Sequence, residues 1–287
     1  MFDFLDLLLL RRGIPSDDRT LTFRRIDGSE QSRVIYFLPW NTPYRVARQA
    51  GFTPLDFLAA YEMPPAIVSS DPELGVRATE GLVSDAEKIL SDRGIAPADA
   101  TIVGLSVGTF PATYLANRIG ARLCAVAGAD RADLMFWQSP AARIVKRRAV
   151  QKGFRLSDYA KATRGYHPAH NLSGIHRKSL FVMGSRDPFV PPGRKAALLT
   201  AIETHAPTVR VVTVDAGHFR TLMVSSRYQR EMMGIAPARK SWQIRLPFQG
   251  APAQVASVQI PAPAPPPAMP ATLMLRAPRS PSQDSND

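Results

Sequence analysis

The chain has 287 residues, 45% of them apolar and 21% charged, proportions that suit one large folded domain with a buried core. Its single cysteine, Cys124, excludes an intramolecular disulfide, so a reduced, cytoplasmic setting is the expectation. The formal charge of +12 raises nucleic acid or an anionic surface as a partner, yet it is concentrated between Arg131 and Lys178, where eleven Lys or Arg stand against Asp133 and Asp158 alone. No recognised nucleic-acid module accompanies that charge, and no nucleic-acid partner is expected.

The N-terminal run MFDFLDLLLLRR places its acids before the leucines and its arginines after them, the reverse of a signal peptide, and no small-residue cleavage site follows. It is too short to span a bilayer, so it reads as a first helix or strand packed on the domain, with a membrane-touching anchor as the alternative. Short apolar runs at residues 20–26 and 33–38 are strand candidates, and residues 44–61 and 72–93 carry helical patterns.

The next strand candidate, residues 100–105, leads directly into Gly104-Leu105-Ser106-Val107-Gly108 and then into a helical pattern at 107–119. A G-x-S-x-G pentapeptide between a strand and a helix is the context in which a serine is thrust out of a sharp turn at the carboxyl end of a sheet, with small residues needed on either side for close packing. A further strand candidate at 122–127 ends in VAGAD, which carries Asp130.

From Asp130 to Lys178 the rhythm of short apolar runs breaks. This basic stretch is mostly helical in pattern, and Leu134-Met135-Phe136-Trp137 supplies an apolar face. It is placed as a cap over a site, residues 131–178, whose charge serves solubility or draws in an anionic substrate or phospholipid surface. The regular pattern resumes with a strand candidate at 179–183, Asp187 in GSRDP, a helix at 193–205, a strand at 209–214, His218 in DAGHF and a helix at 219–233. The domain is assigned to residues 1–249. Residues 250–287, rich in Ala, Pro and Ser, read as an unstructured tail.

A serine hydroxyl needs a base, and the base needs a carboxylate to hold its tautomer. Among the five histidines only His218 sits just past a strand end and before a helix; His167, His170, His176 and His205 read as surface or helix-end residues. Asp187 is the favoured acid and Asp130 the competitor.

With GLSVG, GSRDPFVP and DAGHF in this order at strand ends, the sequence resembles the α/β-hydrolase family from about residue 20 to 233. That resemblance implies a mostly parallel, eight-stranded sheet flanked by helices and an acyl-enzyme mechanism on Ser106, His218 and Asp187, with no metal and no organic cofactor. The expected activity is ester hydrolysis on a small-molecule acyl substrate, neutral or anionic. Acyl transfer or thioester cleavage by the same residues, or a binding protein without chemistry, are the alternatives. The family's pattern also places one oxyanion donor at the backbone N–H of Val107. The usual His-Gly pair is replaced by YFLPWNTPYR, where Pro39 has no N–H, so the second donor shifts to Trp40 or Asn41, the Asn41 side chain included.

Overall fold

Alternation within each strand divides the molecule into layers. The structure is a computed structural model that describes residues 2–14, 20–236 and 255–258. Strands β1 (Phe23–Asp27), β2 (Val34–Phe37), β3 (Ala59–Glu62), β4 (Thr101–Leu105), β5 (Arg122–Val126), β6 (Leu180–Gly184), β7 (Arg210–Val214) and β8 (Val255–Val258) form one sheet in the order β7-β6-β5-β4-β2-β3-β1-β8. β1 is antiparallel to β3, β8 is antiparallel to β1, and the six central and right-hand strands from β3 to β7 run parallel.

Successive residues of a strand point to opposite faces, and the core obeys this. Ile35, Phe37, Ile102, Leu123 and Phe181 join one apolar cluster with Leu82 of α3 (Pro72–Asp92), Leu115 of α4 (Thr109–Ile119) and Leu198 of α8 (Pro192–His205). Their neighbours Tyr36, Val103, Cys124 and Val182 join the other with Ala47 of α2 (Tyr44–Gln49) and Leu222 of α9 (His218–Met232). Strands buried on both faces read as continuous apolar runs, which is why the sequence shows them as such. Helix α3 starts where Asp71 accepts a hydrogen bond from the Glu73 N–H and Pro72 takes the first turn, the ordinary chemistry of a helix N-terminus.

The helix expected over 44–61 is the main correction. Only α2 is helical; Gly51, at φ 75°, follows its end, and Ala59–Glu62 forms β3 between β1 and β2. Ala59, Ala60 and Tyr61 have high or neutral helical preference, but pairing on both edges and burial on both faces override it.

Between β5 and β6 the basic segment forms α5 (Ala132–Gln138), α6 (Arg143–Gln151) and α7 (Leu156–Ala162), with one 3-10 turn between α5 and α6 and two more after α7. The N-terminal run forms α1 (Phe2–Arg12), the helix among the two forms expected. Among the described residues no helix is long and apolar enough to cross a membrane. Most of the tail expected to be unstructured, 237–254 and 259–287, lies outside the described residues. Val255–Val258 pair with β1 as the outermost strand. An open strand edge offers N–H and C=O groups to any extended segment free of proline, a contact composition alone does not register.

Candidate active site

At the carboxyl end of β4 the backbone turns sharply at Ser106, which has φ 55°, one of three non-glycine residues with positive φ among those described. Such a conformation costs on the order of 1–3 kcal/mol and is held by surrounding packing. Two glycines make that packing possible. A Cβ on Gly104 would lie 2.6 Å from Ala112 Cβ, and one on Gly108 would lie 2.3 Å from the Phe37 carbonyl oxygen. The chain continues through one 3-10 turn, Ser106–Gly108, into α4, and Thr109 Oγ1 donates to the Ser106 carbonyl at 2.7 Å.

Two later loops bring side chains to this turn. Asp187 follows β6, and its Oδ1 accepts from the Phe189 N–H at 2.9 Å and the Val190 N–H at 3.4 Å. Its Oδ2 lies 2.7 Å from Nδ1 of His218, and Nε2 of His218 lies 2.9 Å from Ser106 Oγ. His218 opens α9 and is packed edge-on by Phe189, ring centroids 4.7 Å apart. Ser106, His218 and Asp187, separated widely in sequence, thus form one continuous hydrogen-bonded chain.

Electrostatics agree with that geometry. Burial alone would push the Asp187 carboxyl up, but the facing His218, its hydrogen bond and two backbone N–H groups win and hold it below the usual carboxylate range. Burial would likewise push His218 down, yet Asp187, with a smaller contribution from Asp6, raises it above 6.5.

The other candidates fall elsewhere. Asp130 is paired with Arg194 at 2.9 Å. His167, read from sequence as a surface or helix-end residue, is a correction: it is buried beside Asp133, its Nε2 3.6 Å from Oδ1. Burial, with Arg131 and His170, lowers it to about 4 against the pull of Asp133. Nothing in the local sequence of His167 announces this burial.

Ser106 and His218 open into a cavity of about 370 Å³. Val107, Trp40 and Asn41 line it beside Ser106. Val107 belongs to the start of the helical run, where backbone N–H groups lack intrahelical acceptors. Asn41 sits at φ 50°, and the buried Nε1 of Trp40 makes no hydrogen bond among the described residues. Met135 and Phe136 of the cap form part of the far wall. Among the described lining residues there is no Asp, Glu, Lys or Arg, so the described basic side chains of residues 131–178 lie outside the cavity.

Sequence reasoning missed one acid. Asp6 of α1 is 4% exposed, and its Oδ2 accepts from the His218 N–H at 2.8 Å while Oδ1 accepts from the Phe219 N–H at 3.2 Å. An aspartate in a leucine-rich segment gives no motif; the one sequence signal is an acid set against the apolar run Leu7–Leu10.

Neither a protein-family model nor a curated protein matches the sequence. Solved structures similar to the chain include a Thermus thermophilus protein, 20% identical, covering 74% of this chain and 92% of its own with a TM-score of 0.48. An enol-lactonase from Burkholderia xenovorans is 18% identical over 76% of this chain and 98% of its own, with a TM-score of 0.47. A Pyrococcus furiosus esterase is 14% identical over 77% and 87%, also with a TM-score of 0.47. The sheet order, the antiparallel β1, and a strand-turn-helix serine followed in sequence by an acid loop and a histidine loop identify the chain as a member of the α/β-hydrolase fold.

Proposed function

We propose that the protein is a serine hydrolase that cleaves carboxylic esters through an acyl-enzyme. The observation that carries this reading is the unbroken contact from Asp187 through His218 to Ser106, at 2.7 and 2.9 Å, opening on an apolar cavity. His218 keeps a proton on Nδ1 for Asp187, which leaves Nε2 free to accept the Ser106 proton. Ser106 Oγ attacks the ester carbonyl carbon, and the negative oxygen that forms is met by the Val107 N–H and a donor from the Trp40-Asn41 turn. Collapse expels the alcohol, which takes the proton from His218. Water then attacks the acyl-enzyme, giving its proton to His218, and release of the acid returns that proton to Ser106.

A cavity uncharged among its described lining residues favours hydrolysis of neutral esters over transfer from a phosphorylated carrier, whose phosphates need cationic partners. Labelling with a fluorophosphonate probe and turnover of aryl esters test the reading. Wild-type protein should react in both assays, and Ser106→Ala should lose both while staying folded. Folded wild-type protein inert to the probe and to a panel of esters would refute it.

A further inference from the structure

Helix α1 lies against the cavity and is tied down near its middle and at its C-terminal end. Near its middle, the two oxygens of Asp6 receive the first N–H groups of α9, those of His218 and Phe219. A carboxylate at this place satisfies donors that a helix leaves orphaned and lies favourably in its dipole. Toward its end, Arg143 of α6 donates to the carbonyls of Leu10 and Arg11. There Gly13, at φ 75°, turns the chain, and the Ile14 N–H donates to the Ala141 carbonyl at 2.7 Å. On this helix Leu5, Leu8 and Leu9 line the cavity, at the i, i+3, i+4 spacing that puts three side chains on one helical face.

We propose that α1 is part of the active site: Asp6 is a positioning residue for His218, and Leu5, Leu8 and Leu9 wall the space that receives the apolar chain of a neutral ester. The assignment of an ester rests on the serine-hydrolase reading; the wall and the clasp rest on contacts alone. His218 cannot shift along the cavity without breaking the Asp6 bonds to its own backbone, so the 2.9 Å approach to Ser106 depends on α1 being seated. Burial raises the Asp6 carboxyl, opposed by those same N–H groups. Among the described residues, Asp6 on α1 and Asp187 in the loop after β6 are the charged side chains that act on the His218 ring.

The test has two arms that do not require turnover. In the first, the His218 ring is titrated by NMR in wild type, Asp6→Asn and Asp6→Ala. The midpoint should fall in both variants, because a negative charge beside the imidazole is lost. Exchange of the His218 and Phe219 amides should accelerate at least tenfold in Asp6→Ala, and less in Asp6→Asn, whose amide oxygen still accepts. If Asp6→Ala does not fold, Asp6→Asn carries the titration. In the second arm, calorimetry follows binding of n-alkan-1-ols from butanol to decanol. Affinity should tighten about fourfold per methylene until the cavity is filled, and Leu8→Ala/Leu9→Ala should flatten that dependence. Esters lengthened separately on the acyl and alcohol sides then show which chain occupies the space. An unchanged midpoint in both Asp6 variants, or an unaltered chain-length dependence in the leucine variant, would overturn the inference. Wild-type protein that binds alcohols as expected but resists the fluorophosphonate probe would sustain the wall and overturn the hydrolase reading instead.

Discussion

Arg194 Nη1 lies 2.9 Å from Asp130 Oδ2, and this ion pair separates the two aspartates that compete in the sequence to serve His218. Asp130 is thereby committed to the first turns of α8, while Asp187, one strand later, faces the imidazole at 2.7 Å.

Replacing each acid by its amide separates the roles. Asp187→Asn keeps the shape but favours the wrong tautomer of His218, and in the serine-protease precedent this change costs about four orders of magnitude in turnover. The rate of fluorophosphonate labelling should fall by a similar factor. Asp130→Asn should leave labelling within a few-fold of wild type but lower the melting temperature, because it leaves the Arg194 charge unpaired. That loss should be smaller than the about 3–5 kcal/mol of a fully buried pair, since Arg194 keeps some contact with water. The opposite ranking in folded variants would move the acid to Asp130.

The direction of the His218 shift sets the acid limb of activity. Nε2 accepts the Ser106 proton only when the imidazole is neutral, so the active form is lost as pH falls through the pKa of His218. That pKa is raised above 6.5 by Asp187 and Asp6. The midpoint of the acid limb of kcat/KM, which reports the free enzyme, should therefore lie above 6.5. Asp6→Asn should move it to lower pH. A wild-type midpoint at or below 6.5 would show that burial dominates and that the carboxylates do not stabilise the imidazolium.

Most of the parallel sheet was legible because its strands are buried on both faces and so appear as uninterrupted runs of Val, Ile, Leu and Phe. Strand β3 was not, since Ala59 and Ala60 pack between two strands where small side chains suffice, and the same residues favour a helix when judged locally. At the site, Ser106, Asp187 and His218 each stand in a loop just past a strand, with glycine or proline nearby, and short-range pattern reveals such places. Asp6 depends on a contact across 212 positions to a backbone N–H, and backbone donors leave no mark on composition. The stretch YFLPWNTPYR, where an oxyanion donor is expected, lies between these cases: its Trp40 and Asn41 line the cavity, but the positive φ of Asn41 and the buried Nε1 of Trp40 arise only in the folded chain.

Strand β8 lies at the far edge of the sheet from β6 and β7, which carry the acid and histidine loops. Ending the chain after Gly250 removes β8 and opens the β1 edge. Ester turnover should be unchanged, because β8 pairs with β1 at the edge of the sheet opposite the acid and histidine loops. Light scattering should show more self-association than the full chain, since an uncovered edge pairs readily with another. A large fall in turnover would mean that the tail reaches the cavity.

The tightest contact beneath the serine is between Gly108 and the end of β2, and it offers a steric test of how the turn is held. A Cβ at Gly108 would stand 2.3 Å from the Phe37 carbonyl oxygen and 2.9 Å from that of Leu38, both backbone atoms that cannot swing aside as a flexible side chain would. Gly108→Ala must therefore push the Ser106–Gly108 turn away from β2. Ser106 is held at positive φ by this packing, and its contact to His218 spans only 2.9 Å. A displacement of about 1 Å at a reacting atom costs about a hundredfold in rate. Labelling by the fluorophosphonate probe should slow by at least that factor, with a lower melting temperature. Gly193→Ala is the control: it lies in the first turn of α8 with open space around a new Cβ, and it should stabilise by about 0.4–1 kcal/mol without altering labelling. If Gly108→Ala labels at the wild-type rate, the turn has room to move, and the position of Ser106 is set by α4 rather than by contact with β2.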